Sequence, residues 1–386
     1  MTIPDPGTTP EPVPRVVGRW GPEGAGPTLL VVASLHGNEP AGCQALFRVR
    51  DRLAGGGPAL RGRLVLLVGN RAALARGCRH VDQDLNRLWS SDVVARLSSY
   101  VARPGDPIEY REAAELLAAA LTNRGPGRCC VLDLHTTSSE SPPFAVLADT
   151  LRNRAFARGL GLPTILGLEE QLDGTFLSHL ETLGFVTTGC EGGQHDDPAA
   201  IDHLEAAIWL AIESAGLLAP GHGAAEVTAA RQRLERVTAG YPRVLEVRYR
   251  HAVSAEDNFR MTPGFVTFQP VEANQAVARD RRGTVAAPEA GRMLLPLYQT
   301  QGTDGFFVMR AIRPFWLTVS ALLRRFGLAA LAPHLPGVRR DPDRPDVLLV
   351  DRGTARWFAL EVFHLLGFRR ERVEGDVLVV SRRPRL

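Results

Sequence analysis

Between Leu29 and Ala215, short apolar runs alternate with stretches of helical periodicity, and this alternation is the strongest constraint on the fold. The runs at 29–33, 64–68, 130–134, 144–147 and 185–189 are four or five residues long. They are too short for helices and continuous enough to be strands buried on both faces. The spacing between them predicts helices over 40–53, 109–123, 148–158 and 198–215, the last opening with a cap and a first-turn proline at Asp197-Pro198. A further helix, 224–238, follows a Gly- and Pro-containing loop at 216–223. Such alternation predicts an α/β domain, a sheet flanked by helices. Sheets of this kind present functional groups along the carboxyl ends of their strands.

That edge is where the chemistry-bearing residues fall. His36 and Glu39, in S-L-H-G-N-E-P, come just after the first run, and His135, in V-L-D-L-H-T-T, ends the third. Two imidazoles and one carboxylate are the ligand set of a catalytic zinc with one position left open. Glu191, in T-G-C-E-G-G-Q-H, follows the last run. It is either a general base for a metal-activated water or an exposed turn glutamate. Asp133 shares a strand face with His135, two residues on, and either orients that histidine or caps a turn. Asn70 and Arg71 in G-N-R-A-A-L, and Asn86 and Arg87 in D-Q-D-L-N-R, sit where a carboxylate would dock. Guanidinium forks bind carboxylates bidentately and keep their charge at every pH.

Composition removes several function classes. The 386 residues carry a net charge of +3, with no basic stripe interleaved with aromatics, so no nucleic-acid partner is expected. All 45 basic residues are arginine. Without lysine there is no Schiff base, P-loop lysine or Ser–Lys dyad. The five cysteines (43, 78, 129, 130, 190) show no C-x-x-C spacing, which suits small buried side chains in a reducing compartment. The N-terminus has neither a basic nor an apolar signal region, so a cytoplasmic protein is expected. The longest apolar stretch, 315–338, carries Arg324 and Arg325 at its centre and reads as one or two amphipathic helices, with no membrane partner.

Four regions follow from these patterns. Residues 1–26 form a Pro- and Gly-rich lead, and 27–223 the α/β domain. Residues 240–310 carry short alternating runs with turn signals, the signature of a small all-β domain. Residues 311–386 end in a strand–helix–strand unit. His364 lies there on an apolar helical face and is expected to be a core histidine, while His195, close behind Glu191, either lines the site or, the favoured reading, caps the following helix.

Taken together and in order, H-G-N-E, N-R-A, D-L-N-R, D-L-H-T-T and E-G-G resemble the succinylglutamate desuccinylase/aspartoacylase family, a branch of the zinc carboxypeptidase-like fold. The resemblance implies a mixed eight-stranded sheet flanked by helices, followed by a small β domain that partly covers the active site. It implies one zinc per chain on His36, Glu39 and His135, with Glu191 as base. Arg71 would polarise the scissile carbonyl, and Asn86 and Arg87, with Asn70 nearby, would hold the substrate. Tyr298, in L-P-L-Y-Q, resembles a pocket tyrosine of the β domain or is an ordinary core aromatic. The implied substrate is a small anionic N-acyl amino acid, hydrolysed at its amide bond. A carboxypeptidase acting on peptide C-termini and a non-catalytic binding module are the alternatives, and a homo-oligomer is left open. No arginine matches a distal-carboxylate site, since Arg260 and Arg292 lack motif support, and 311–386 lies outside the resemblance.

Overall fold

The computed structural model describes residues 13–24, 26–299, 301–351, 353–354 and 359–382. The chain begins with β1 (Val16–Trp20), β2 (Thr28–Ala33), α1 (Pro40–Ala54), β3 (Arg63–Val68), α2 (Arg71–Arg76), α3 (Ser91–Leu97), α4 (Ile108–Thr122) and β4 (Cys129–Thr137). Next come β5 (Phe144–Val146), α5 (Leu151–Gly159), β6 (Thr164–Leu166), α6 (Phe176–Thr182), β7 (Val186–Gln194), α7 (Ala199–Ser214) and α8 (Ala224–Thr238). A strand-rich stretch holds β8 (Val244–Ala252), β9 (Arg260–Met261), β10 (Pro270–Val271), β11 (Ala276–Asp280), β12 (Gly283–Ala286), β13 (Gly291–Leu294) and β14 (Asp304–Ala311). The remainder is α9 (Pro314–Arg325), β15 (Val338–Arg340), β16 (Val347–Asp351), α10 (Ala359–Leu366), β17 (Phe368–Glu374) and β18 (Val377–Arg382). Two compact units result. One joins the chain up to Thr137 with Gly174–Leu234, and the other joins Ser138–Asp173 with the chain from Glu235 onward.

In the first unit the strands lie in the order β1-β3-β2-β4-β7. β3, β2, β4 and β7 are parallel, and β1 is antiparallel on β3. T-L-L-V-V-A of β2 is buried at every position, as a central parallel strand covered on both faces requires. Leu30 and Val32 share a core with Val65 and Leu67 of β3 and with Ala113, Leu116 and Leu117 of α4. At roughly 1.5–3 kcal/mol for each buried Val or Leu, these strands supply much of the drive to fold. Their register also fixes the site: Ala33 pairs with Leu134, and His135 lies directly opposite Glu191.

β1 falls inside the expected Pro/Gly-rich lead and is buttressed by an ionic network. Buried Arg15, just before it, donates to the carbonyls of Val68 and Gly69 and to Glu112 of α4. Glu112 accepts in turn from Arg71 Nε at 3.1 Å and from the Arg71 amide at 3.2 Å.

The strands expected at 240–310 lie in the second unit, most of them in a longer run of paired strands. β5, β6 and β8 pair in parallel, and β8 continues antiparallel into β14, β13 and β10. β12, β11 and β9 form a small sheet of their own. Composition marked the strands after residue 240 but not their partners, and the Val244–Glu246 end of β8 finds its mate in β6. The C-terminal region is fuller than expected: β15-β16-β18-β17 form an antiparallel sheet over Leu348, Val350, Phe363, Phe368, Leu378 and Val380. The apolar stretch after Pro314 is broken into Phe315–Arg325 and Leu328–His334, bent by 87°. Among the described residues no single helix is long and apolar enough to cross a membrane. Arg324 turns inward, donating from Nη1 to the Asp149 carbonyl and from Nη2 to Asp149 Oδ2, both at 2.6 Å.

His364 is not the apolar core histidine expected. Its Nδ1 meets Glu246 Oε1, and its Nε2 lies 3.2 Å from Glu170 Oε2. Burial alone would lower its pKa, but the two carboxylates push it up to about 10. A histidine whose pKa is raised on folding stabilises the fold fully below its unfolded value near 6.5 and loses that contribution as pH rises through 10. His364→Gln is therefore expected to cost about 3–5 kcal/mol at pH 6. The gap to wild type should close between pH 6.5 and 10 in urea unfolding, and a gap independent of pH would contradict the ion-pair account.

Candidate active site

The loop after β2 carries the first two site residues. Ser34, at the strand end, holds a left-handed backbone with φ of 58°, which turns the chain sharply toward α1. Gly37 of H-G-N-E has a packing reason: a Cβ there would lie 2.0 Å from the backbone carbon of Ala73, at the start of α2. Glu39 is the N-cap residue of α1, with Pro40 in the first turn. A helix N-terminus favours a carboxylate in its charged form.

The three predicted ligands meet. His36 Nδ1 lies 2.8 Å from Glu39 Oε1, and His135 Nδ1 lies 3.0 Å from Glu39 Oε2. The Thr136 amide donates to Oε2 at 3.1 Å. Ligand atoms of all three residues lie within 4.8 Å of one another. Each imidazole is held from behind: His36 Nε2 is 3.2 Å from Asp84 Oδ1, and His135 Nε2 is 2.9 Å from Asp133 Oδ2. Carboxylates on Nε2 hold the proton there and leave the Nδ1 lone pairs for a metal. Burial would raise the Glu39 carboxyl, yet the two imidazoles hold it well below the usual range. Burial would likewise lower His135, but Asp133 and Glu39 hold it well above the ordinary histidine value. Two nitrogens, a charged carboxylate and outer carboxylates on both histidines fit a zinc ion.

Glu191 lies within β7, not in a turn as its polar surroundings allowed. Gly192 beside it is needed for packing, since a Cβ there would come within 2.5 Å of Leu204 in α7. Glu191 Oε2 is buried and has no hydrogen-bond partner among the described residues. Burial raises its carboxyl to about 8, against the pull of His135 and Arg79 and with the push of Glu39 and Asp133. A carboxyl so poised takes up and releases a proton near neutral pH.

The arginine at this site is Arg79, which sequence reasoning passed over. Its Nε and Nη2 donate to Asp84 Oδ2 at 3.1 and 2.9 Å, and its charge reaches Glu191. Arg71, the expected carbonyl-polarising residue, instead turns to Glu112 and Glu115. The reason is ionic: two carboxylates of α4, one of them 2% exposed, claim its guanidinium. Asn70 is fully buried and caps α2, its Oδ1 accepting from Ala73 and its Nδ2 donating to Glu109. Asn86 accepts from the Phe176 amide at 2.9 Å, and Arg87 follows it in the same short 3-10 turn. Burial would raise Asp84, but His36, Arg79 and Arg87 keep it well below the usual carboxyl range. His195 does not cap a helix: its Nδ1 lies 2.7 Å from Thr136 Oγ1, one residue beyond His135. Tyr298 belongs to the second unit, where its hydroxyl accepts from the Phe265 amide and donates to the carbonyl of Thr262 or Phe265. Arg292 of that unit donates to the Phe268 carbonyl, and Arg260 is exposed in β9.

Residues 25–203 match the model of the succinylglutamate desuccinylase/aspartoacylase catalytic domain. This segment belongs to that family. A succinylglutamate desuccinylase of Paraburkholderia xenovorans is 38% identical over 136 residues, which is 34% of this chain and 38% of the relative. Another, from Pseudomonas paraeruginosa, is 37% identical over 113 residues, 29% of this chain and 31% of the relative. The chain thus spans about a third of the length of these curated relatives. The crystal structure of a succinylglutamate desuccinylase/aspartoacylase from Rhodobacter sphaeroides superposes with a TM-score of 0.55 at 20% identity, covering 75% of this chain and 87% of that one. The product-bound ectoine utilization protein EutE from Ruegeria pomeroyi gives 0.53 at 20% identity, covering 74% and 85%. At such identities the likeness is one of fold, and it agrees with the mixed α/β architecture described above.

The outer carboxylates give a direct test. Asp84→Asn and Asp133→Asn should each weaken zinc binding by about 10- to 100-fold, measured by competition with a chromophoric chelator. Unchanged affinity in both would mean that the histidines are oriented by other means.

Proposed function

We propose that this chain is a zinc-dependent hydrolase that cleaves the amide bond of small anionic N-acyl amino acids. The observation that carries the proposal is Glu191. It is a carboxylate with a buried unpaired oxygen, opposite His135 in the sheet and poised near neutrality beside a His/Glu/His ligand set. The named activities of the relatives, succinylglutamate desuccinylases, supply the substrate class.

His36 and His135 through Nδ1, and Glu39 through its carboxylate, would hold the zinc, which when bound supplies Lewis acidity to a water and to the substrate carbonyl. Glu191 takes a proton from the attacking water as the water oxygen bonds to the carbonyl carbon. The Arg79 guanidinium donates to the carbonyl oxygen as negative charge builds there. Asp84 holds Arg79 and His36 together, so electrophile and ligand are set by one carboxylate. Glu191 then delivers the same proton to the amide nitrogen as the carbon–nitrogen bond breaks. A free amine and a carboxylic acid leave. Arg87 and Asn86, on the short turn after Asp84, take the substrate's α-carboxylate, while Arg71 and Asn70 serve the fold. Five free thiols suit the cytoplasmic setting that this proposal adopts.

Hydrolysis of a panel of N-acyl amino acids, with C-terminally free peptides alongside, tests the substrate class before and after chelation. Cleavage of peptides alone would move the chain to the carboxypeptidases. Glu191→Gln should retain zinc and lose at least about 100-fold in kcat. Arg79→Ala should lower kcat by about 100-fold or more, whereas Arg71→Ala should act chiefly on stability. The reverse pattern between the two arginines would overturn the assignment.

A further inference from the structure

Glu109, in the first turn of α4, is a fully buried carboxylate. Burying a charge is costly unless hydrogen bonds replace its water. Glu109 accepts four. Oε1 receives the Val81 amide at 2.7 Å and Asn70 Nδ2 at 3.2 Å, and Oε2 receives the amides of Asp82 and Gln83, both at 3.1 Å. Three successive backbone N–H groups aimed at one anion form a nest. Here the anion is a side chain of the protein itself.

The gripped segment has neither helix nor strand to hold it. It is bracketed by Arg79, whose charge reaches Glu191, and by Asp84, which supports His36 from behind. The grip is reciprocal: the Ile108 amide, next to Glu109, donates to Asp82 Oδ2 at 2.9 Å. The Gly37 amide donates to the Arg79 carbonyl at 3.1 Å, so the H-G-N-E loop is tied to the same segment. One buried carboxylate therefore stands behind both a metal ligand's partner and the site's arginine.

We infer that Glu109 is a positioning residue of the metal centre, fixing residues 79–84 so that Asp84 meets both His36 and Arg79. This rests on the metallo-hydrolase proposal for the role of Arg79, whereas its effect on the ligands follows from the His/Glu/His set alone.

The test compares Glu109→Gln with Glu112→Gln, one turn along the same helix. The first keeps side-chain volume but turns an amide NH2 toward backbone donors. The second breaks the ion pairs to Arg15 and Arg71. Zinc affinity by chelator competition, unfolding stability, and kcat and KM at saturating zinc are read for both. Glu109→Gln should weaken zinc by about 10- to 100-fold and lower kcat by a similar factor, with KM changed less. Glu112→Gln should lower stability yet keep zinc affinity within about twofold of wild type. If Glu109→Gln does not fold, Glu109→Asp, which keeps the charge but shortens its reach, should show the same zinc loss to a smaller degree. Wild-type zinc affinity and kcat in the Glu109 variant would overturn the inference, as would equal zinc loss in both variants in step with lost stability. A wild-type chain that takes up no zinc would remove the metal centre itself. Intact binding in every variant removes only the role of Glu109.

Discussion

A single carboxylate holds the working edge of the first unit together. Glu39 touches an imidazole with each oxygen and receives a backbone amide from the residue after His135. It stands at the N-cap position of α1, ends the loop that follows β2, and reaches the carboxyl end of β4. Two segments far apart in sequence, the β2–α1 turn and the end of β4, therefore converge on one charge. The helix N-terminus and two flanking histidines keep that charge in place inside the fold. Asp84 and Asp133 complete the arrangement by fixing the far sides of both rings, so ring orientation is set by the fold alone.

Much of this was legible in the sequence because the central strands are covered on both faces. T-L-L-V-V-A, R-L-V-L-L-V and the start of β4 read as unbroken apolar runs, and their ends located His36, Glu39 and His135. β7 runs on to Gln194 past the run read at 185–189, because Glu191 and the glycines interrupt the apolar pattern while the backbone stays paired with β4. The loss was greater where partners are distant. β8 is recognisable as a strand, the three-residue β6 is not, and nothing local says that they pair. His364 looked apolar because its helix is, yet the carboxylates that seat it come from positions 170 and 246.

Arginine is the chain's only permanent cation, and that blurs the reading of its motifs. A guanidinium can serve several acceptors at once, and Arg15 and Arg324 do so in the interior, across carboxylates and carbonyls. Arg71 and Arg79 stand eight positions apart, both close to a family motif, and only packing separates their uses. The carboxylates of α4 capture the first, and Asp84 directs the second to the site. Motif proximity selected Arg71, while the neighbours of each side chain select Arg79.

The strand at Val16–Trp20 lies before the segment shared with the family, which starts at residue 25. It covers one side of β3, whose R-L-V-L-L-V is almost wholly apolar and buried. A catalytic domain trimmed to the family boundary would bare that side as a row of unpaired amides and carbonyls on an oily strand. Such an edge invites other chains to add to the sheet. In this protein, then, residues ahead of the shared domain shield its sheet edge as well as extend it.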